Sequence, residues 1–296
     1  MTNVFNFRRV SANGVSLHYA ESGPADGPPV LLLHGFPESW HGYHAQLHAL
    51  GAAGFRAIAP DLRGYNNSDK PKGVRSYHLD QLSADVAALV NALGYKRVTL
   101  VGHDWGGLIA WDTAAARHRH VVERLIVINC PHLAPYVRRM SLRQLRKSWY
   151  VVLFQIPYVG EWWVRRKDFK WLQSQLRETA GPGVFSEEDI TRIKLALSEP
   201  GALTAAINYY RGLLRLNLLR LGKRYAPVSV PTLLIWGERD PYLGKELTYD
   251  TAAWARDLRI EYIPDAGHWV HRERPDTANK LILEFLPPPH GAQSAR

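Results

Sequence analysis

The chain of 296 residues is poor in sulfur, with one cysteine and two methionines. A lone thiol, Cys130, rules out an intramolecular disulfide, so the core alone must hold the fold. A reducing, cytoplasmic setting is the expectation. No run of about eighteen apolar residues lacks a charge, which excludes an ordinary membrane-spanning helix. The opening residues, MTNVFNFRRVSANGVSLHYAES, contain no apolar core followed by a cleavage pattern, so no secretory leader is expected. Internal repeats, low-complexity tracts and a phosphate-cradling glycine loop are also missing. The thirteen histidines do not fall into metal-ligand spacing with carboxylates, and neither a cofactor nor a metal is expected.

Acidic residues are scarce, with 27 Asp and Glu against 37 Lys and Arg, a formal charge of +10. The excess is local. Residues 135–226 carry 17 Lys and Arg against 7 Asp and Glu, and the remainder is balanced. No nucleic-acid-binding motif accompanies these arginines, which are spread through apolar sequence, so a nucleic-acid partner is not expected. Solvated helix faces are the simplest account of the charge. Attraction to anionic substrates or to membrane surfaces is the second.

At 46% hydrophobic composition the chain can bury a sizeable core, as one large domain or one domain with an insert. The short apolar runs PVLLLHG, FRAIAPD, KRVTLVGHD, ERLIVINC, PTLLIWGERD and RIEYIPDAGH read as buried parallel strands. Helical patterns between them, such as SYHLDQLSADVAALVNALG, give the alternation of an α/β fold with helices on both faces of a mostly parallel sheet. At the N-terminus, ANG between alternating segments predicts a hairpin. Residues 135–226 break the pattern with helical stretches only. The expected organisation is a core of residues 1–134 and 227–296 with an all-helical lid between, seated where open α/β sheets bind ligands. The final PPPHGAQSAR is expected to fray.

Chemistry concentrates at strand ends. Gly102-His103-Asp104-Trp105-Gly106 follows a strand and precedes a helix, the context of a nucleophile elbow, but with a carboxylate where a serine is usual. Asp240 ends a later strand, and His268 follows the next. Nucleophile, acid and histidine thus come in the order of an α/β-hydrolase triad. Asp265 is a rival acid, but its strand is the histidine's own, and Asp240 is preferred. HGFPESW follows the first parallel strand, where the fold supplies one oxyanion-hole amide. The donors would be the backbone N–H groups of Phe36 and Trp105. His34 more naturally shapes that turn than reacts. Asp61, Arg63 and Asp69 read as loop braces, and His103 and His271 as packing or solvated residues.

The segments HGFPESW, PDLRGYNNSDKP, VGHDWGG, INCPH, WGERDPYLG and GHWV together resemble the soluble epoxide hydrolases of the α/β-hydrolase superfamily, over nearly the whole chain. The resemblance implies Asp104 as nucleophile, His268 as base, Asp240 as its partner and a cis Phe36–Pro37 bond. It also implies two lid tyrosines on the epoxide oxygen. NYYR points to Tyr210, with Tyr209 as neighbour and rival, and YVVLFQIP points to Tyr150. The implied reaction turns a small, apolar or aromatic epoxide into a vicinal diol, as in detoxification. A homodimer is compatible with the resemblance but not specified by it.

Haloalkane dehalogenases are the alternative, since they use the same triad and place a halide-binding indole where Trp105 stands. Their asparagine donor is replaced here by Phe36, although Trp149, Trp162, Trp163 or Trp171 could supply a lid indole. Fluoroacetate-type enzymes carry an arginine in place of Trp105. A non-catalytic binding protein of the same fold would have no need to keep the triad.

Overall fold

The computed structural model describes residues 5–215 and 224–289. Strands β1 (Asn6–Ala12) and β2 (Val15–Ser22) form the expected hairpin, with Asn13 and Gly14 at its tip both at positive φ. That sign is what a type I′ turn requires, and Asn-Gly adopts it at little cost. The parallel strands are β3 (Pro29–Leu33), β4 (Arg56–Pro60), β5 (Val98–His103), β6 (Val122–Ile128), β7 (Thr232–Gly237) and β8 (Leu258–Ile263). They complete one sheet in the order β1-β2-β4-β3-β5-β6-β7-β8, with β2 antiparallel to β4.

Side chains alternate along each central strand, and the alternation builds two cores. Leu31 and Leu33 of β3 face α2 (Leu79–Ala92) and α3 (Trp105–Ala115), where Val86, Val90 and Ile109 are buried. Val30 and Leu32 face α1 (His44–Ala52) and the C-terminal helix, with Leu47 and Ile282. The same division holds in β6, with Leu125 and Val127 on one side and Ile126 and Ile128 on the other. Every residue of α3 is buried, consistent with its nearly continuous apolar sequence.

Among the described residues between β6 and β7 the chain is helical, as the helical stretches of its sequence predicted. Its helices are α4 (Leu133–Arg138), α5 (Leu142–Lys147), α6 (Trp149–Gln155), α7 (Val159–Thr179), α8 (Glu187–Ser198) and α9 (Ala202–Leu213). The first begins two residues before Pro135, because the His132 side chain accepts the Ala134 amide as an N-cap. Ser186 and Asp189 form a reciprocal capping box on α8. Helix α7 is broken at Arg166–Phe169, where Lys167, Asp168 and Phe169 lie at left-handed φ. Residues 216–223 of the predicted lid and 290–296 of the predicted frayed tail lie outside the described residues.

Strand β3 has β4 on one side and β5 on the other, so the loops leaving β3 and β5 diverge and open a crevice above the sheet. The HGFPESW and GHDWG segments occupy those two loops.

Candidate active site

Asp104 sits between the end of β5 and the start of α3 at φ 49° and ψ −118°, a region that non-glycine residues rarely adopt. The positive φ of the turn is carried by Asp104 itself and not by the flanking glycines. The glycines serve close approach instead. A Cβ on Gly102 would lie 2.3 Å from the Gly106 carbonyl oxygen, and one on Gly106 would lie 2.0 Å from that of Leu33. Strand, helix and the neighbouring β3 loop therefore pack backbone to backbone and hold the carboxylate above the sheet.

The Phe36 amide donates to Asp104 Oδ1 at 2.8 Å, from a loop containing the cis Phe36–Pro37 bond. Trp105 opens α3, whose first amides have no intrahelical acceptor. His268 Nε2 is 3.7 Å from Asp104 Oδ2, and its Nδ1 is 2.8 Å from Asp240 Oδ2. Since a carboxylate only accepts, Nδ1 carries the proton and Nε2 is turned to Asp104. Asp240 is fixed in turn by amides of Tyr242 and Leu243 on Oδ1 and by Asn129 Nδ2 at 2.8 Å on Oδ2. The rival acid Asp265 pairs with Arg274 at the surface.

Burial opposes charge on both members of the Asp240–His268 pair, but their mutual attraction prevails. Asp240 is held below the usual carboxylate range by His268 and its hydrogen-bond donors. Against desolvation, Asp240 and then Asp104 push His268 up to about 9. The folded state thus binds this proton more tightly than the unfolded chain, where the value is near 6.5. Its contribution to stability is complete below the unfolded value and fades as pH rises through about 9. Thermal denaturation should show a Tm falling between pH 7 and pH 9.5, with a flatter profile in His268→Gln. An equally steep profile in the variant would assign the loss to other groups.

Above the carboxylate lies an apolar cavity lined by Phe36, Tyr150, Trp171, Leu172, Tyr210 and Tyr242, together with Asp104 and His268. Tyr150 projects from α6 and Tyr210 from α9, with ring centroids 5.9 Å apart. Burial, and then Asp104 for Tyr150 and Tyr150 and Asp104 for Tyr210, push both phenols well above their ordinary value, so both remain proton donors. Tyr209 points elsewhere, its hydroxyl donating to the Arg63 carbonyl at 2.7 Å in the interior.

The chain is similar to known proteins over most of its length. Residues 28–275 match the α/β hydrolase fold family. An AB hydrolase superfamily protein of Bacillus subtilis is 40% identical, over 94% of this chain and 96% of its own length. Epoxide hydrolase 3 of Xenopus tropicalis is 39% identical, over 94% of this chain and 76% of its own. The chain belongs to the epoxide hydrolases of the α/β hydrolase fold family. Among solved structures, the Bacillus megaterium epoxide hydrolase in complex with an inhibitor superposes with a TM-score of 0.83 at 29% identity, covering 94% of this chain and 99% of that one.

Several residues of this epoxide hydrolase escaped the sequence reading. Asn129 bridges two strand ends, donating to Asp240 and accepting the Gly237 amide at 2.9 Å. Its only signal was a polar residue closing the apolar run of β6. His103 and His271, read as packing or solvated, are buried and gather around Glu38, with Nδ1 and Nε2 at 3.5 and 3.3 Å from Glu38 Oε2. The three have potential ligand atoms within 4.8 Å of one another, a grouping that spacing along the chain could not reveal. Arg272 donates to Glu38 Oε1 at 2.5 Å and supplies a positive charge there. Despite burial, Arg272 and His271 hold the Glu38 carboxyl well below its usual range. His103 Nε2 in turn donates to the His268 carbonyl at 3.0 Å, which ties this cluster to the backbone of His268.

The loop residues behave as braces. Asp61 contacts His18, Asn66 and the Trp40 amide, Arg63 pairs with Asp85, and Asp69 accepts the Ser16 amide. His34 accepts the Leu62 amide through Nε2, which shapes the turn as expected. Of the four lid indoles named as halide donors, Trp171 lines the cavity, whereas Trp149 and Trp162 are exposed. Trp163 is half-buried, with Nε1 unpartnered.

Proposed function

We propose that Asp104 attacks an epoxide carbon, that the resulting ester is hydrolysed by water activated by His268, and that Tyr150 and Tyr210 receive the ring oxygen. The observation that carries this reading is the pair of phenols lining the same cavity as Asp104 and His268. Ring opening releases an alkoxide, a poor leaving group, and phenols are far stronger donors to it than the indole N–H groups that suffice for a halide. Attack at an sp³ carbon explains the carboxylate at the elbow. A serine would become an inert ether, while a carboxylate becomes an ester whose carbonyl water can reopen.

Charge moves in a useful order. As the ester forms, negative charge leaves Asp104 and reappears on the substrate oxygen beside the phenols. His268 then loses one of the three carboxylates that favour its proton, the others being Asp240 and Glu38. It becomes a freer base at the stage when water must be deprotonated. The Phe36 and Trp105 amides are assigned to the oxyanion of the ester's tetrahedral intermediate. Residues 135–226 serve as a lid carrying both tyrosines over a core of residues 1–134 and 227–296. The apolar lining suits an apolar or aromatic epoxide.

The phenols provide the test. With Tyr150→Phe and Tyr210→Phe combined, rapid-quench kinetics should show alkylation slowed by about 10³-fold or more, with ester hydrolysis changed far less. Equal slowing of both steps, or alkylation at the normal rate, would remove the tyrosines from ring opening.

A further inference from the structure

The segment from α5 to the first half of α7 presents an apolar stripe to solvent. Leu142 and Leu145 on α5, Trp149 and Val152 on α6, Ile156 at its C-cap and Val159 at the start of α7 follow one another at intervals of three and four residues. Here they are exposed, from 37% for Val159 to 77% for Leu142, and exposed Tyr158 and Trp162 extend the surface. Isolated apolar residues are common on surfaces. A run of eight on consecutive short helices marks an interaction site.

The surrounding charge has one sign. Residues 138–170 contain nine Lys and Arg but only two acids, Glu161 and Asp168. Both acids are already ion-paired, with Arg211 and Lys194 respectively. Arg138, Arg143, Arg146, Arg165, Lys167 and Lys170 are exposed. Arg166 stacks over Trp162 and Trp163, at 5.1 and 4.8 Å from the ring centroids. Apolar anchors, interfacial aromatics and flanking cations form the pattern by which helices lie in the surface of an anionic bilayer. A second copy of the chain would bring the same positive charge against itself. The stripe also borders the cavity, since Trp149 packs edge-on against Tyr150 and Trp171, both at 6.3 Å.

We propose that this lid surface docks on anionic phospholipid membranes, so that epoxides dissolved in the bilayer enter the cavity directly from the lipid. The docking stands on the surface itself, whereas the delivery of epoxide rests on the catalytic reading above. Binding and turnover are therefore measured separately.

The full-length protein is sedimented with phosphatidylcholine vesicles, with or without about 30% phosphatidylserine, at low and high salt. Binding is expected to the anionic vesicles, weakened by salt. One variant combines Leu145→Ser, Val152→Ser and Trp162→Ser. Another combines Arg143→Glu, Arg146→Glu and Arg165→Glu. Each should bind about tenfold more weakly or worse, while turnover of a water-soluble epoxide such as styrene oxide stays at the parent level and verifies folding. Absence of binding to anionic vesicles, or parent-like binding by both variants, overturns the proposal. So does a concentration-dependent dimer that the serine variant abolishes while vesicle binding persists, because the stripe is then a protein contact. Loss of styrene oxide turnover in the parent, with vesicle binding intact, would overturn the catalytic reading and leave docking standing.

Discussion

The His268→Gln variant is expected to form the covalent ester and then stall. Glutamine retains an amide donor for Asp240 but cannot take a proton from water at the position of Nε2. In the proposed mechanism alkylation by Asp104 needs the carboxylate, the Phe36 loop and the lid phenols, all of which remain. Intact-protein mass spectrometry after incubation with a panel of epoxides should therefore find one adduct per chain, heavier by the whole epoxide because ring opening loses no atom. Peptide mapping should place it on Asp104. Steady-state turnover should fall by about 10⁴-fold or more, in line with removal of a triad base. An adduct from haloalkanes lighter by the departed hydrogen halide would support dehalogenation. Normal turnover would exclude His268 as the base, and the adduct itself reports that the variant pocket is folded.

Asp104→Ala should abolish turnover while leaving the protein folded. No other group stands at the end of β5 between the Phe36 amide and His268 Nε2, so about 10⁵-fold or greater loss is expected. Stability should change by only about 1 kcal/mol. The variant loses the acceptor of the Phe36 amide, and alanine inherits the same strained φ, but no part of the sheet depends on the carboxylate. Turnover assays with thermal denaturation check both halves. Substantial residual activity would remove Asp104 from the nucleophile's place, and collapse of the fold would make it a structural residue.

Local physics made much of this molecule readable. Strands buried on both faces need continuous apolar runs, so PVLLL, VTLVGH and TLLIWG stood out and appear as β3, β5 and β7. The Asn-Gly pair announced the hairpin because few other residues accept positive φ twice. The order Asp104, Asp240, His268 at three different strand ends was legible because strand ends in this architecture converge on one edge.

Other choices depended on distances between residues far apart in the chain. NYYR points to Tyr210 only through the family resemblance, and no physical property of the two tyrosines separates Tyr209 from it in sequence. Neighbouring residues on α9 point about 100° apart, and packing directs Tyr209 to the Arg63 carbonyl in the interior and Tyr210 to Phe36 and Tyr150 at the cavity. Asp240 was preferred to Asp265 from strand order alone, but that its carboxylate reaches His268 Nδ1 is set by the β7–β8 pairing and by Asn129 just beyond β6. The Glu38–His103–His271 cluster joins a loop, the end of β5 and a short helix, separated by 65 and 168 residues, beyond any local pattern. Composition located the positive charge between residues 135 and 226. The helix orientations decided that it borders an exposed apolar stripe, because which face of a short helix meets solvent is set by what packs behind it. The sequence by itself determined the elements and the chemistry available at their ends. Tertiary structure alone decided which of those groups meet.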